Sequence, residues 1–155
     1  MDNESKVKIL NYMDEAFVEA KLAFDQGEVP IGAVLVHEEK IIARGHNRTE
    51  EAKNATEHAE MVCIRQASQY MEDFRLTSCE LYTTLEPCIM CAGAAILSRL
   101  KKIVYACPDL RHGGCGSLVD LFAIKHPIHQ VEVEFLDFQE RSAKLLKDFF
   151  KARRK

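Results

Sequence analysis

A chain of 155 residues, 47% hydrophobic and 29% charged, has the size of one domain of roughly 100–200 residues and can bury a real core. Its net charge of −3 excludes a protein that coats nucleic acid through bulk charge. Two local basic clusters remain, one at Arg99, Lys101 and Lys102 and one at Lys151, Arg153, Arg154 and Lys155. No run approaches a membrane span of about 18 apolar residues, and residues 1–8 lack an apolar signal core, so a cytoplasmic protein with no membrane partner is expected.

In chain order, Leu10, Met13, Phe17, Ala20 and Phe24 recur at helical spacing. They predict an amphipathic helix over residues 6–26 with Gly27 as its C-cap. Apolar runs at 31–36 and 40–45, split by His37-Glu38-Glu39, read as a β-hairpin. Residues 46–49 leave the second strand as a loop, and 50–55 are polar and irregular. Thr56 is placed to cap a helix from about Glu57 to Met71. A short strand follows at 79–84, then a helix at 87–98 whose Ala92-Gly93-Ala94-Ala95 makes one face small.

Residues 102–107 read as a strand, 108–116 as a Gly-rich turn and 117–122 as a short helix. Residues 130–136 alternate as a strand, and 140–154 form a terminal helix bearing Leu145, Leu146, Phe149 and Phe150. A hairpin followed by alternating strands and helices predicts a three-layer α/β/α sandwich with a mixed five-stranded sheet. No repeat or linker interrupts the pattern, so residues 1–155 are expected to make a single domain.

The chemistry concentrates in Leu85-Glu86-Pro87-Cys88-Ile89-Met90-Cys91. Cysteines three apart share a face of a helix. Pro87 suits the first helical position, which puts Cys88 and Cys91 in or near the first turn, where free N–H groups and the helix dipole favour thiolate. Alone, such a pair fits a redox site, half of a structural zinc site or part of a catalytic one. Three disulfides are a poor reading of a chain without a secretion signal. Cys63, Cys79 and Cys107 lie in apolar segments and read as core, and Cys115 reads as a turn residue.

His58-Ala59-Glu60 opens the preceding helix. If the two strand–helix units lie side by side, His58 joins Cys88 and Cys91 in a three-ligand zinc site with its fourth position open. No other histidine has a partner at the spacing of a structural site. Glu60, near the metal and not a ligand, is then the general acid and base. His-Ala-Glu followed roughly 27 residues later by Pro-Cys-x-x-Cys is a signature of zinc-dependent nucleobase deaminases.

The resemblance narrows over nearly the whole chain. Gly27 to Ala33, Gly45-His46-Asn47, Thr56 to Glu60, Leu85 to Gly93, Gly116-Ser117-Leu118, and Asp148-Phe149-Phe150 with its basic tail resemble the bacterial tRNA-specific adenosine deaminases. These belong to the cytidine-deaminase-like superfamily. The resemblance implies a homodimer with one Zn2+ per subunit that converts adenosine to inosine at the wobble position of a tRNA anticodon. It implies that Asn47 contacts the base and that Val29 and Leu85 wall the pocket. It places Asp109, Arg111 and His112 on the turn that meets the anticodon loop, and Phe149, Arg153 and Arg154 on the helix that contacts RNA. Leu110 to Cys115 departs from the usual form of that turn. A deaminase of a free base or nucleoside, guanine or cytosine, is the alternative that shares this zinc site.

Overall fold

The computed structural model describes residues 2–153. Helix α1 (Asn3–Asp25) starts earlier than its apolar periodicity predicts, because the Asp2 side chain accepts the Ser5 N–H at 2.8 Å and caps it. Strands β1 (Gly32–His37) and β2 (Lys40–His46) form the expected hairpin. Its turn residues Glu38 and Glu39 both have positive φ, 49° and 64°, the twist that suits a two-residue hairpin. Three further strands complete the sheet: β3 (Cys79–Thr83), β4 (Lys102–Tyr105) and β5 (Glu132–Phe135). The order is β2-β1-β3-β4-β5, with β1 antiparallel to β2 and β3, and β3, β4 and β5 mutually parallel. The sheet is therefore mixed and five-stranded, as the element order predicts.

Period-two alternation sorts the strands between two cores. Ala33, Leu35, Leu81 and Ile103 point to one face, where they pack with Ala59, Cys63 and Ala67 of α3 (Ala59–Met71) and Ala95 of α4 (Ile89–Leu97). Val34, Val36, Tyr82 and Val104 point to the other, against Met13, Ala16 and Phe17 of α1 and Leu145 of α5 (Gln139–Arg153). Gly32 is required where α1 crosses β1: a Cβ there would overlap backbone atoms of Ala16 and Ala20.

Four local expectations need correction. Residues 49–52 form a short helix, α2 (Thr49–Ala52), in the stretch expected to be irregular. The buried Glu28 carboxylate stabilises it by accepting the N–H groups of Glu50 and Glu51 at 3.0 and 2.8 Å. Helix α3 begins at Ala59 with His58 as N-cap, because Thr56 spends its N–H and hydroxyl on the Asn54 side chain. Helix α4 begins at Ile89 with Cys88 as N-cap, so Pro87 precedes the helix instead of opening it. The helix expected at 117–122 shrinks to one 3-10 turn, Leu121–Ala123, whose N-cap Asp120 accepts the Phe122 N–H. All six cysteines are free thiols.

Candidate active site

His58 and Cys88 each occupy the N-cap of their helix in extended backbone, and neither side chain caps its own helix. Both side chains are thereby free to turn toward the gap between the starts of α3 and α4. Cys91 enters that gap from the first turn of α4. His58 Nδ1 lies 3.5 Å from Cys88 Sγ and 3.6 Å from Cys91 Sγ, and the three ligand atoms all fall within 4.8 Å of one another. A tetrahedral zinc about 2.0 Å from nitrogen and 2.3 Å from sulfur separates N from S by about 3.5 Å. The residues present fit the metal, and three protein ligands leave one coordination position for a fourth, non-protein group.

The surroundings favour anionic sulfur. Hydrogen bonding from the Cys91 thiol, and then from His58 and the Cys91 backbone N–H, draws the Cys88 thiol down to about 4 against the opposing effect of burial. Cys91 is pushed up by that neighbouring Cys88 and by its own burial, so without a cation the pair holds one charge. His58 is raised mainly by its hydrogen bond to Cys88. A dication removes the obstacle to a second thiolate, since a coordinating thiol is deprotonated outright.

Glu60 sits in the first turn of α3, 3% exposed. Burial pushes its carboxyl up to about 7. It lines a cavity of about 410 Å3 together with Asn47, Val29, Leu85, Asp109 and His112. Five residues expected to meet substrate are thus brought together with the metal-type cluster. Asn47 is fixed by its backbone: its N–H donates to the Ile31 carbonyl at 3.1 Å. Its side-chain oxygen accepts the Thr49 N–H at 3.4 Å. The amide NH2 donates to no other group among the described residues.

Three expected residues lie elsewhere. Arg111 faces a separate recess of about 660 Å3, which it lines with Lys147, Phe150 and Lys151. Phe149, expected to contact RNA, is 5% exposed and packs edge-on against Phe24 of α1 at 5.9 Å between centroids. The reason is the stripe of α5 that α1 covers, which runs through Leu145 and Phe149. Phe150, next in sequence, is the exposed ring at 47%. Arg153 donates to the Gly27 carbonyl at 2.7 Å and lies over the Phe149 ring, so it docks α5 onto the loop that follows α1. Arg154 lies outside the described residues.

Two carboxylates were missed from the sequence. Glu28 and Glu86 are buried and hold backbone N–H groups instead of cations, and Glu86 also lines the cavity. The available signal was weak: each is a charged residue next to an apolar or proline position in a motif read for its other members.

Residues 7–154 match the family model of the MafB19-like deaminases. The chain is 45% identical over 144 residues to the tRNA-specific adenosine deaminase of Bacillus subtilis, covering 93% of this chain and 89% of that one. It is 44% identical over 140 residues to the tRNA-specific adenosine deaminase of Aquifex aeolicus, covering 90% and 92% respectively. A solved structure from studies of A-to-I editing by tRNA deaminases at the wobble position superposes with a TM-score of 0.84. The identity is 39%, over 88% of this chain and 99% of that one.

Proposed function

Because the chain belongs to the MafB19-like deaminases and to the tRNA-specific adenosine deaminases, we propose that it hydrolyses adenosine to inosine, releasing ammonia, at the wobble position of a tRNA anticodon. The His58, Cys88 and Cys91 cluster, of zinc dimensions, beside a buried glutamate in a base-sized cavity carries the deamination chemistry, and the identity of 44–45% to tRNA-specific adenosine deaminases carries the choice of substrate. His58, Cys88 and Cys91 would hold one Zn2+ per subunit. When bound, zinc supplies a water acidic enough to act as a nucleophile near neutral pH.

The protein's own groups do the rest. Glu60 takes a proton from the attacking water and delivers it to ring nitrogen N1 of adenine, then takes the second proton from the hydroxyl now on C6 and passes it to the 6-amino nitrogen as the C6–N bond breaks. Its place beside the metal ligands without being one of them leaves its carboxyl free to carry protons, and burial favours its neutral form. The free NH2 of Asn47 is positioned to donate to an acceptor on the purine edge. Val29 and Leu85 supply apolar walls, and Asp109 and His112 offer polar contacts at the rim.

A base inside a duplex cannot reach such a cavity, so an unpaired loop with splayed bases is the fitting substrate. Arg111, Lys147, Lys151 and Phe150 give that loop a basic and aromatic surface beside the opening. A homodimer is the assembly in this reading. Gly93 of α4 has open space where a Cβ would stand. Leu97, on the same helix, and Leu118, in the turn after β4, are 71% and 52% exposed. No helix among the described residues is long and apolar enough to cross a membrane, and the cytoplasm is the compartment that supplies the proposed substrate.

The test is deamination of a defined anticodon stem-loop beside free adenosine, guanine and cytosine, with metal content measured on the same sample. Inosine in the stem-loop at the target position, with about one zinc per chain, is the expected result. Turnover of a free base with none on the stem-loop overturns the reading in favour of a free-base deaminase.

A further inference from the structure

The turn that brings Asp109 and His112 to the cavity has an unusual support. It is 2% exposed Glu86, between β3 and the metal-ligating start of α4. Its Oε1 accepts the Asp109 N–H at 3.1 Å and the Ser117 hydroxyl. Its Oε2 accepts the N–H groups of Cys115 and Ser117 at 2.9 and 3.2 Å. No lysine, arginine or histidine pairs with it among the described residues. A carboxylate offers about four acceptor positions, and all are taken by one turn.

The same turn is then propagated outward. Asp109 Oδ1 accepts the N–H groups of Arg111 and His112 at 3.1 and 3.3 Å. Gly113 closes the loop by donating to the Asp109 carbonyl at 2.8 Å. A Cβ at Gly113 would fall on the Glu86 carboxylate itself. Asp109 and His112 line the cavity while Arg111 lines the basic recess. The three side chains of the turn that face a substrate thus share one buried anchor.

We propose that Glu86 is a positioning residue for substrate recognition: by fixing the 109–117 turn, it sets how the enzyme reads the nucleotides flanking the target base. This rests on the wobble-deaminase reading above. His58 and Glu60 stand at the start of α3, away from the 109–117 turn, whereas Cys88 is bridged to Gly113 of that turn, so zinc content is the control that separates an effect on recognition from one on the metal ligands.

Glu86→Gln keeps the size and replaces one acceptor oxygen by an NH2 donor. In either amide orientation it faces a turn donor with another donor, leaving an N–H or hydroxyl without its acceptor. The expected result is a KM for the stem-loop raised about tenfold or more, the scale of one lost buried hydrogen bond, with kcat within about threefold and zinc content unchanged. Preference among stem-loops differing in the bases beside the target narrows toward none. Ser117→Ala, which removes the hydroxyl donor to Glu86 Oε1, gives a smaller split of the same kind and decides the matter if Glu86→Gln is insoluble.

The proposal is overturned if kcat falls with KM unchanged, if zinc is lost in step with activity, or if flanking-base preference is untouched while KM rises. Wild-type turnover on the stem-loop separates the two claims. If wild type acts only on a free base, the wobble reading fails, and a tenfold KM rise for that base no longer supports recognition of flanking nucleotides.

Discussion

Phe149 and Phe150 are adjacent in sequence and opposite in environment, and truncating each to alanine separates packing from RNA contact. Phe149 is 5% exposed and meets two aromatic rings edge-on, Phe24 at 5.9 Å and Phe150 at 5.4 Å, with Arg153 over its face at 5.1 Å. Deleting a buried phenylalanine side chain costs about 3–5 kcal/mol in transfer and cavity terms. The site lies near the helix end, where the surroundings can relax, so the lower figure of about 3 kcal/mol applies. For a chain of this size that is a fall in melting temperature of roughly 6–12 °C.

Phe150 is half exposed, and its truncation is expected to cost under about 1.5 kcal/mol. Its RNA affinity should drop instead, by the ~1–3 kcal/mol of one lost base-stacking contact. The assay is thermal unfolding of wild type, Phe149→Ala and Phe150→Ala, paired with stem-loop binding at one fixed salt concentration below both transitions. A Phe149→Ala protein that melts within about 2 °C of wild type and has lost RNA affinity would refute the reasoning, because the ring would then be serving RNA instead of α1.

Three further outcomes are expected. Glu60→Gln retains metal and stem-loop binding while turnover falls by roughly 10²- to 10⁴-fold; near-normal turnover removes the proton-carrier role. Cys91→Ala lowers zinc content well below one per chain, and chelation of wild type abolishes turnover that added zinc restores; full activity in metal-free protein contradicts the site. Asn47→Ala weakens binding of the target-containing loop by about 1–3 kcal/mol while leaving unfolding within about 1 kcal/mol of wild type. Equal loss on a loop lacking the target adenine would make Asn47 a loop support instead of a base contact.

The metal cluster was legible because its logic is local. His58, Cys88 and Cys91 stand at helix starts, and helix starts are among the features that sequence marks best. The mistake about Pro87 moved the helix by two positions without moving the sulfurs out of reach, since N-cap and first turn both face the gap. The sandwich followed from the order of apolar runs. Phe149 against Phe150 could not be settled that way: Leu145 with Phe149 and Leu146 with Phe150 are both spaced four apart, and only the placement of α1 decides which stripe is covered. Glu28 and Glu86 were hidden for a related reason. A buried carboxylate without a cation is stable only because distant backbone donors converge on it, and no local pattern announces them.

The hydrogen bond from Arg153 to the Gly27 carbonyl has a practical consequence for handling the protein. Gly27 is two residues before Val29, so the carboxyl-terminal helix is buckled onto the loop that leads into the wall of the cavity. Trimming the chain behind Lys151 would remove that bond, and with it the tie between α5 and the loop that leads to Val29, along with basic charge. The opposite end of α1 is the safer attachment point: 23 residues of helix set it about 35 Å from that buckle.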